Sequence, residues 1–242
     1  MKIKADLHIH SCLSPCGDLE MSPRAIAARA KELSLDLICV TDHNTALNNP
    51  SAARACAAAG VRCLYGMEIN TREEVHTLCY FDELEKAMEL DKFIAPRLPD
   101  IKNDPEIFGD QVIVDENDII LGQHEKILSS AADLGLEELR DKVLAAGGLF
   151  VPAHINRPRN SLISQLGLLL PDEKYSAVEL HKSVYLCGAA RPETFDYPVI
   201  SNSDAHYLND IGLVYNEIEL EDFSLSALRS ALEQKSVAVK VL

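Results

Sequence analysis

Short apolar runs alternate along this chain with stretches whose apolar residues recur at helical spacing, and that alternation predicts most of its elements. Ala5-Asp6-Leu7-His8-Ile9-His10-Ser11 reads as a strand in which Leu7 and Ile9 enter apolar packing while His8 and His10 share the other face. After a loop containing Cys, Pro and Gly, Ser22-Pro23 supplies an N-cap and a first helical position for a helix to about Leu33. Asp36 to Thr41 is an apolar run of the kind found in buried parallel strands, and it ends at Asp42-His43-Asn44. Ser51 to Ala59 predicts an alanine-rich helix stopped by Gly60, and Val61 to Ile69 a third strand carrying Gly66-Met67-Glu68. The link from Glu68 to His76 is too short for a parallel crossover, so the run His76 to Phe81 is expected to return antiparallel or through a sharp turn.

Further along, Phe81 to Leu90 is helical in pattern, and Pro96, Pro99 and Pro105 then break the chain. Gln111 to Leu121 predicts a short hairpin around the acidic turn Asp115-Glu116-Asn117-Asp118, which reads as a solvated tip, and residues 95 to 135 as a whole read as an insertion. Glu137 to Ala146 is a helix ended by Gly147-Gly148, and the run Leu149 to His154 a strand with Arg157 and Arg159 just beyond it. Strands are also expected at Ala177 to His181, at Tyr197 to Asn202 leading into Ser203-Asp204-Ala205-His206, and at Ile218 to Leu220, before a helix from Ser224 to Glu233. Strands alternating with helices predict one α/β barrel domain over residues 1 to 242, with its chemistry at the strand exits.

Composition narrows the partners. Acidic residues outnumber basic ones 38 to 23, a formal charge of −15 that repels phosphate backbones and disfavours extended nucleic acid. Aromatics at 5% and no Trp argue against a base-stacking platform. Seven cysteines, an odd number without a Cys-x-x-Cys pair, predict reduced thiols in a cytoplasmic protein, and Cys12 and Cys16 read as small loop hydrophobes rather than ligands. No secretory leader or membrane span is expected.

The histidines change the picture most. His8, His10, His43, Glu68, His76, His154, Asp204 and His206 all fall at strand exits or adjoining turns, leaving only His124 and His181 of the eight histidines elsewhere. Histidines placed for bland reasons would be scattered. Mixed imidazole and carboxylate donors favour Zn, Mn or Fe over Ca or Mg, and they are too many for one four-coordinate ion, so two or three divalent metals are expected. Asp18 is a further candidate ligand from the first loop. Arg157, and after it Arg159, suit bidentate phosphate binding, with Lys182 a weaker alternative.

Asp6-Leu7-His8-Ile9-His10-Ser11, Thr41-Asp42-His43-Asn44, Gly66-Met67-Glu68, the His76 strand, Ala153-His154 and Ser203-Asp204-Ala205-His206 together resemble the ordered motifs of the PHP (polymerase and histidinol phosphatase) family of metal-dependent phosphoesterases. The resemblance covers residues 3 to 206 and implies a distorted barrel of seven β/α units with up to three metals at its mouth. It implies a first metal on His8, His10, Glu68 and Asp204, a second on Glu68, His76 and His154, and a third on Asp18, His43 and His206. Glu68, Asp204 and His206 are the catalytic groups this suggests. A water shared by two such cations loses its proton near neutral pH and attacks phosphorus.

The function expected is hydrolysis of a small phosphate ester such as a nucleotide or sugar phosphate, with a small phosphorylated substrate as partner. Two alternatives are a 3′ to 5′ exonuclease on single strands and an amidohydrolase-like C–N hydrolase. The latter commonly adds a metal-bridging Lys at a middle strand, and no Lys ends a strand here.

Overall fold

The chain is described over residues Met1–Leu242 by a computed structural model. β1 (Lys2–Ile9) pairs in parallel with β2 (Leu37–Val40), which pairs in parallel with β3 (Arg62–Asn70). The crossovers are α1 (Pro23–Glu32), capped where the Ser22 hydroxyl accepts the Ala25 N–H, and α2 (Asn49–Ala59), ended by Gly60 at φ 74°. Glycine adopts that left-handed conformation at least cost. The buried faces of both helices pack on Ile9, Ile38 and Val40.

β4 (His76–Phe81) returns antiparallel on β3 with Asn70 opposite His76, as the short link requires. Next come α3 (Leu84–Ile94), α4 (Pro105–Phe108) and the hairpin of β5 (Val112–Val114) and β6 (Ile120–Gln123). After α5 (Leu136–Ala145), β7 (Leu149–Pro152) pairs antiparallel with β4. The remaining elements are α6 (Leu162–Leu166), β8 (Val178–Glu179), α7 (Ser183–Leu186), β9 (Val199–Ile200), β10 (Val214–Glu219), α8 (Leu225–Glu233) and β11 (Val237–Val241).

β8 and β9 are very short, yet they carry the wall round to β1. The Ile155 N–H donates to Glu179 O at 2.8 Å, the Leu180 N–H to Ile200 O at 2.9 Å, and the His10 N–H to Ala205 O at 2.9 Å. β1, β2, β3, β4, β7, β8 and β9 therefore form the distorted α/β barrel expected, with a mixed rather than all-parallel wall. β10 and β11 extend the sheet antiparallel from the first half of β1.

Inside the wall, Leu37, Leu64, Leu78, Tyr80, Leu149 and Val151 pack with Leu225, Leu228 and Leu232 of α8. That helix closes the end of the barrel opposite the histidines, and Arg229 ties it down by donating to the Gly147 and Gly148 carbonyls. Leu7 belongs to this interior cluster, whereas Ile9 packs outside under α1 and α2, a change of side at the register irregularity between Asp6 and Ile9. Through that irregularity His8 and His10 enter the mouth together. No helix is long and apolar enough to cross a membrane.

Candidate metal centre

Glu68 ends the inward-facing row Leu64, Gly66, Glu68 of β3, and alternation along the strand brings it to the open end of the barrel. Its Oε1 lies 3.0 Å from His76 Nδ1, 3.1 Å from His154 Nε2 and 3.4 Å from His8 Nε2. Its Oε2 lies 3.0 Å from His43 Nδ1 and 3.4 Å from His10 Nε2. Asp204 approaches from the other side, with Oδ1 3.5 Å from His8 Nε2 and 3.4 Å from His10 Nε2. His206 completes the arc, its Nδ1 2.9 Å from the Asp204 carbonyl.

Neighbouring acceptors orient these rings. His8 Nδ1 is held by Glu179, and His10 Nδ1 donates to the Ser14 hydroxyl at 3.0 Å, which itself donates to Asp42 at 2.7 Å. Asp42 is held in turn by the Ser11 N–H and hydroxyl. With both Nδ1–H groups committed, the two Nε2 atoms face each other 3.2 Å apart, a repulsive pair of lone pairs unless a proton or a metal cation lies between them. Asp204 Oδ1 is buried there without a hydrogen-bond partner. An orphaned carboxylate oxygen beside converging imidazole lone pairs is the donor set that a divalent cation satisfies.

Backbone strain marks the same place. His154 at φ 28° and Asp204 at φ 45° both sit in the left-handed region, which non-glycine residues hold only when the surroundings impose it.

The electrostatics leave the donors ready. Burial opposes ionisation of Glu68, but His76, His8 and His43 hold its carboxyl well below the usual range. Asp204 is likewise held low against its burial by His8 and His10. Burial, reinforced by the nearby His206 and His43, drives His10 well below its ordinary value, and burial lowers His76 to about 4. Burial opposes protonation of His8 and His43, but Glu179 and Glu68 raise the first and Cys16 and Glu68 the second well above the ordinary value. The two carboxylates with His10 and His76 thus stand in ligating form, while a cation reaching His8 or His43 displaces a proton.

The ligand atoms of His8, His10 and Asp204 lie within 4.8 Å of one another, as do those of His43, Glu68 and His76, and those of His10, Cys16, His43 and His206. Asp18 Oδ1 accepts the Glu20 N–H at 2.8 Å in the loop, and among the histidines the grouped donor from this loop is Cys16. Cys16 is an exposed residue, and although desolvation beside the protein opposes ionisation of its thiol, His43 and His206 bring it down to about 6. Arg157 reaches the rim with Nη1 3.6 Å from Asp204 Oδ2, and Arg159 is exposed on the same loop. Lys182 Nζ donates to the Ser203 carbonyl at 2.6 Å, steadying the turn that delivers Asp204. Glu179 and Ser14 were not singled out by sequence reasoning, and Asp42 only as part of the motif Thr41-Asp42-His43-Asn44. For Glu179 there was a signal, an acid inside the apolar run Ala177-Val178-Glu179-Leu180.

Comparison with known proteins places the geometry. Residues 6–139 match the PHP domain model, and residues 192–237 match a PHP-associated model. The uncharacterized protein YqxK of Bacillus subtilis is 37% identical over 101 residues, and the DNA polymerase III PolC-type of Oceanobacillus iheyensis 30% over 94 residues, each match covering 39% of this chain. The chain spans 26% of the first and 6% of the second. The lesion-specific endonuclease PfuEndoQ from Pyrococcus furiosus has the same fold over 100% of this chain and 58% of its own, with a TM-score of 0.68 and 22% identity. An inferred metal-dependent phosphoesterase from Bifidobacterium adolescentis covers 97% of this chain and 96% of its own, with a TM-score of 0.59 and 19% identity.

One expectation is corrected by these relatives. A small phosphorylated substrate was expected and extended nucleic acid disfavoured, yet endonuclease Q, alike over 100% of this chain with a TM-score of 0.66, 22% identity and 58% of its own chain covered, is seen with a 27-mer duplex substrate. The net charge of −15 does not decide the matter, because it is summed over the whole molecule whereas a ligand at the mouth senses charges within about 10 Å. Arg157 and Lys182 border the mouth on neighbouring loops, and Arg159 is exposed on the Arg157 loop. With over half its length matched, and the matched motifs gathered into one centre, this chain belongs to the PHP domain family.

Proposed function

We propose that this chain is a metal-dependent phosphodiesterase that cleaves nucleic acid. The observation that carries the reading is a buried carboxylate, Glu68, ringed by His8, His10, His43, His76 and His154, with the basic residues Arg157 and Lys182 against Asp204 on the other side of the centre. In this reading His8, His10, Glu68 and Asp204 hold one cation and Glu68, His76 and His154 a second. Divalent ions bound there supply Lewis acidity and water activation.

The protein's own groups do the rest. Glu179 and Ser14 fix the tautomers of His8 and His10. Asp204 and Glu68 provide the negative charge that retains cations in a site crowded with imidazoles. Arg157 is placed to take two oxygens of the scissile phosphate, and a guanidinium does so with matched planar geometry. Endonuclease Q with its duplex and the match to a DNA polymerase support nucleic acid as the substrate class. Seven unpaired cysteines support a cytoplasmic setting.

The test is incubation of protein purified without chelator, supplied with Zn, Mn or Fe, with end-labelled single-stranded and duplex oligonucleotides, some carrying an abasic position. Cleavage is expected from the wild type and at least about 100-fold less from Glu68→Gln, since loss of even an outer-shell partner costs 10–100-fold. Intact oligonucleotides throughout, from a chain shown to carry metal, overturn the reading.

A further inference from the structure

We propose that the Cys16 thiolate, together with His43 and His206, holds a third cation, in the role the sequence suggested for Asp18. The inference rests on the metal-centre reading above and concerns a donor atom that no linear motif marks.

The first loop is folded so that the sulfur faces the imidazoles. The Ser14 N–H donates to Ser11 O, the Gly17 N–H to Ser14 O, and the Asp18 N–H to the His206 carbonyl at 2.9 Å, which pins the loop against the segment that carries His206. Gly17 allows this return, because a Cβ at that position would lie 2.5 Å from the Ser11 carbonyl oxygen. The ligand atoms of Cys16, His43, His206 and His10 then fall within 4.8 Å of one another.

Two further observations point to a ligand there. His43 is buried at 6% exposure and belongs both to the Cys16 group and to the Glu68–His76 group, its Nδ1 lying 3.0 Å from Glu68 Oε2 without a hydrogen bond. His206 directs its Nδ1 at the Asp204 carbonyl, 2.9 Å away, which leaves Nε2 as the free donor. The Asp18 carboxylate is engaged by the Glu20 N–H. His10 borders the group, but its Nε2 already faces His8 and Asp204.

One sulfur, two nitrogens and an open position suit a tetrahedral ion with an exchangeable site. A thiolate is a soft donor, so this position selects zinc over manganese or magnesium, while the carboxylate-containing positions do not.

Cobalt replaces zinc with retention of geometry and reports a sulfur ligand by a thiolate-to-cobalt charge-transfer band in the near ultraviolet. Wild type, Cys16→Ser, Cys16→Asp and Asp18→Asn are loaded with cobalt, analysed for metal per chain and scanned, with circular dichroism as the check on folding. The band is expected in wild type and Asp18→Asn. Cys16→Ser loses the band and one ion per chain, and Cys16→Asp regains the ion without the band. Cobalt-loaded wild type without the band overturns the thiolate assignment, as does loss of the ion in Asp18→Asn with its retention in Cys16→Ser. A wild-type chain that binds no cobalt overturns the metal-centre reading itself and this inference with it.

Discussion

The Glu179 carboxylate holds His8 Nδ1 with both oxygens, at 3.1 and 3.2 Å. Its Oε2 also accepts the His154 backbone N–H at 2.8 Å, so one buried acid orients candidate ligands from β1 and from the end of β7. Asn202 donates to its Oε1 at 2.8 Å, which keeps the carboxylate in place.

Glu179→Gln keeps the size of the side chain and removes the charge. Outer-shell acceptors of this kind raise ligand basicity and fix the ring, and their loss costs 10–100-fold in metal affinity. Zinc affinity measured by competition with a chromophoric chelator is expected to fall about 10–100-fold, with the circular dichroism spectrum unchanged. Wild-type affinity in the variant would show that Glu179 only fills space.

Much of the centre was legible because apolar runs bounded by polar residues mark where strands lie, which located His43 just beyond β2, Glu68 near the end of β3 and His154 just beyond β7. His8 and His10 do meet, but through the register irregularity in β1 that separates Leu7 from Ile9 rather than through simple alternation. The antiparallel turn into β4 followed from chain length alone. Features set by loop conformation were not legible. Whether Asp18 or Cys16 reaches the histidines depends on how residues 11 to 18 fold back, and both were available. β11 was missed because it is a partly exposed edge strand, so its Val237-Ala238-Val239-Lys240-Val241 carries little burial signal.

Gly66 has a structural duty beside Glu68. A Cβ there would lie 2.1 Å from the Cys79 carbonyl oxygen, inside the β3–β4 ladder, and neither backbone can retreat while the register holds. Gly66→Ala is expected to destabilise the fold by about 3 kcal/mol, the upper range of overpacking. Urea denaturation of wild type and variant measures it, and superimposable transitions would count against the close approach.

Arg157 separates substrate binding from metal binding. Its guanidinium stands at the rim, 3.6 Å from Asp204 Oδ2, and its side chain is 39% exposed. Arg157→Ala removes charge-assisted hydrogen bonds worth about 1.5–3 kcal/mol, so oligonucleotide binding is expected to weaken about 10-fold or more. If Arg157 meets a phosphate, the slope of log affinity against log salt also falls by about 1. Fluorescence anisotropy over a salt series reads both, with metal content as the control, and an unchanged slope would remove the phosphate contact from the model of binding.

Cys12 and Cys16 share one loop and behave oppositely in the metal-free protein. Burial pushes the Cys12 thiol up to about 12, whereas Cys16, despite its own desolvation, is drawn down to about 6 by His43 and His206. A depressed thiol pKa means that the thiolate exists above pH 6 and is lost as pH falls through that value, and only the thiolate is a nucleophile. Brief iodoacetamide labelling of chelator-treated protein at pH 7.5 is therefore expected to modify Cys16 and spare Cys12, and labelling of Cys16 should fall off below about pH 6. Peptide mass spectrometry distinguishes the two sites. Equal labelling of both cysteines, or a Cys16 rate that keeps falling from pH 9 downward like that of an unperturbed thiol, would show that the imidazole pair does not stabilise the sulfur anion.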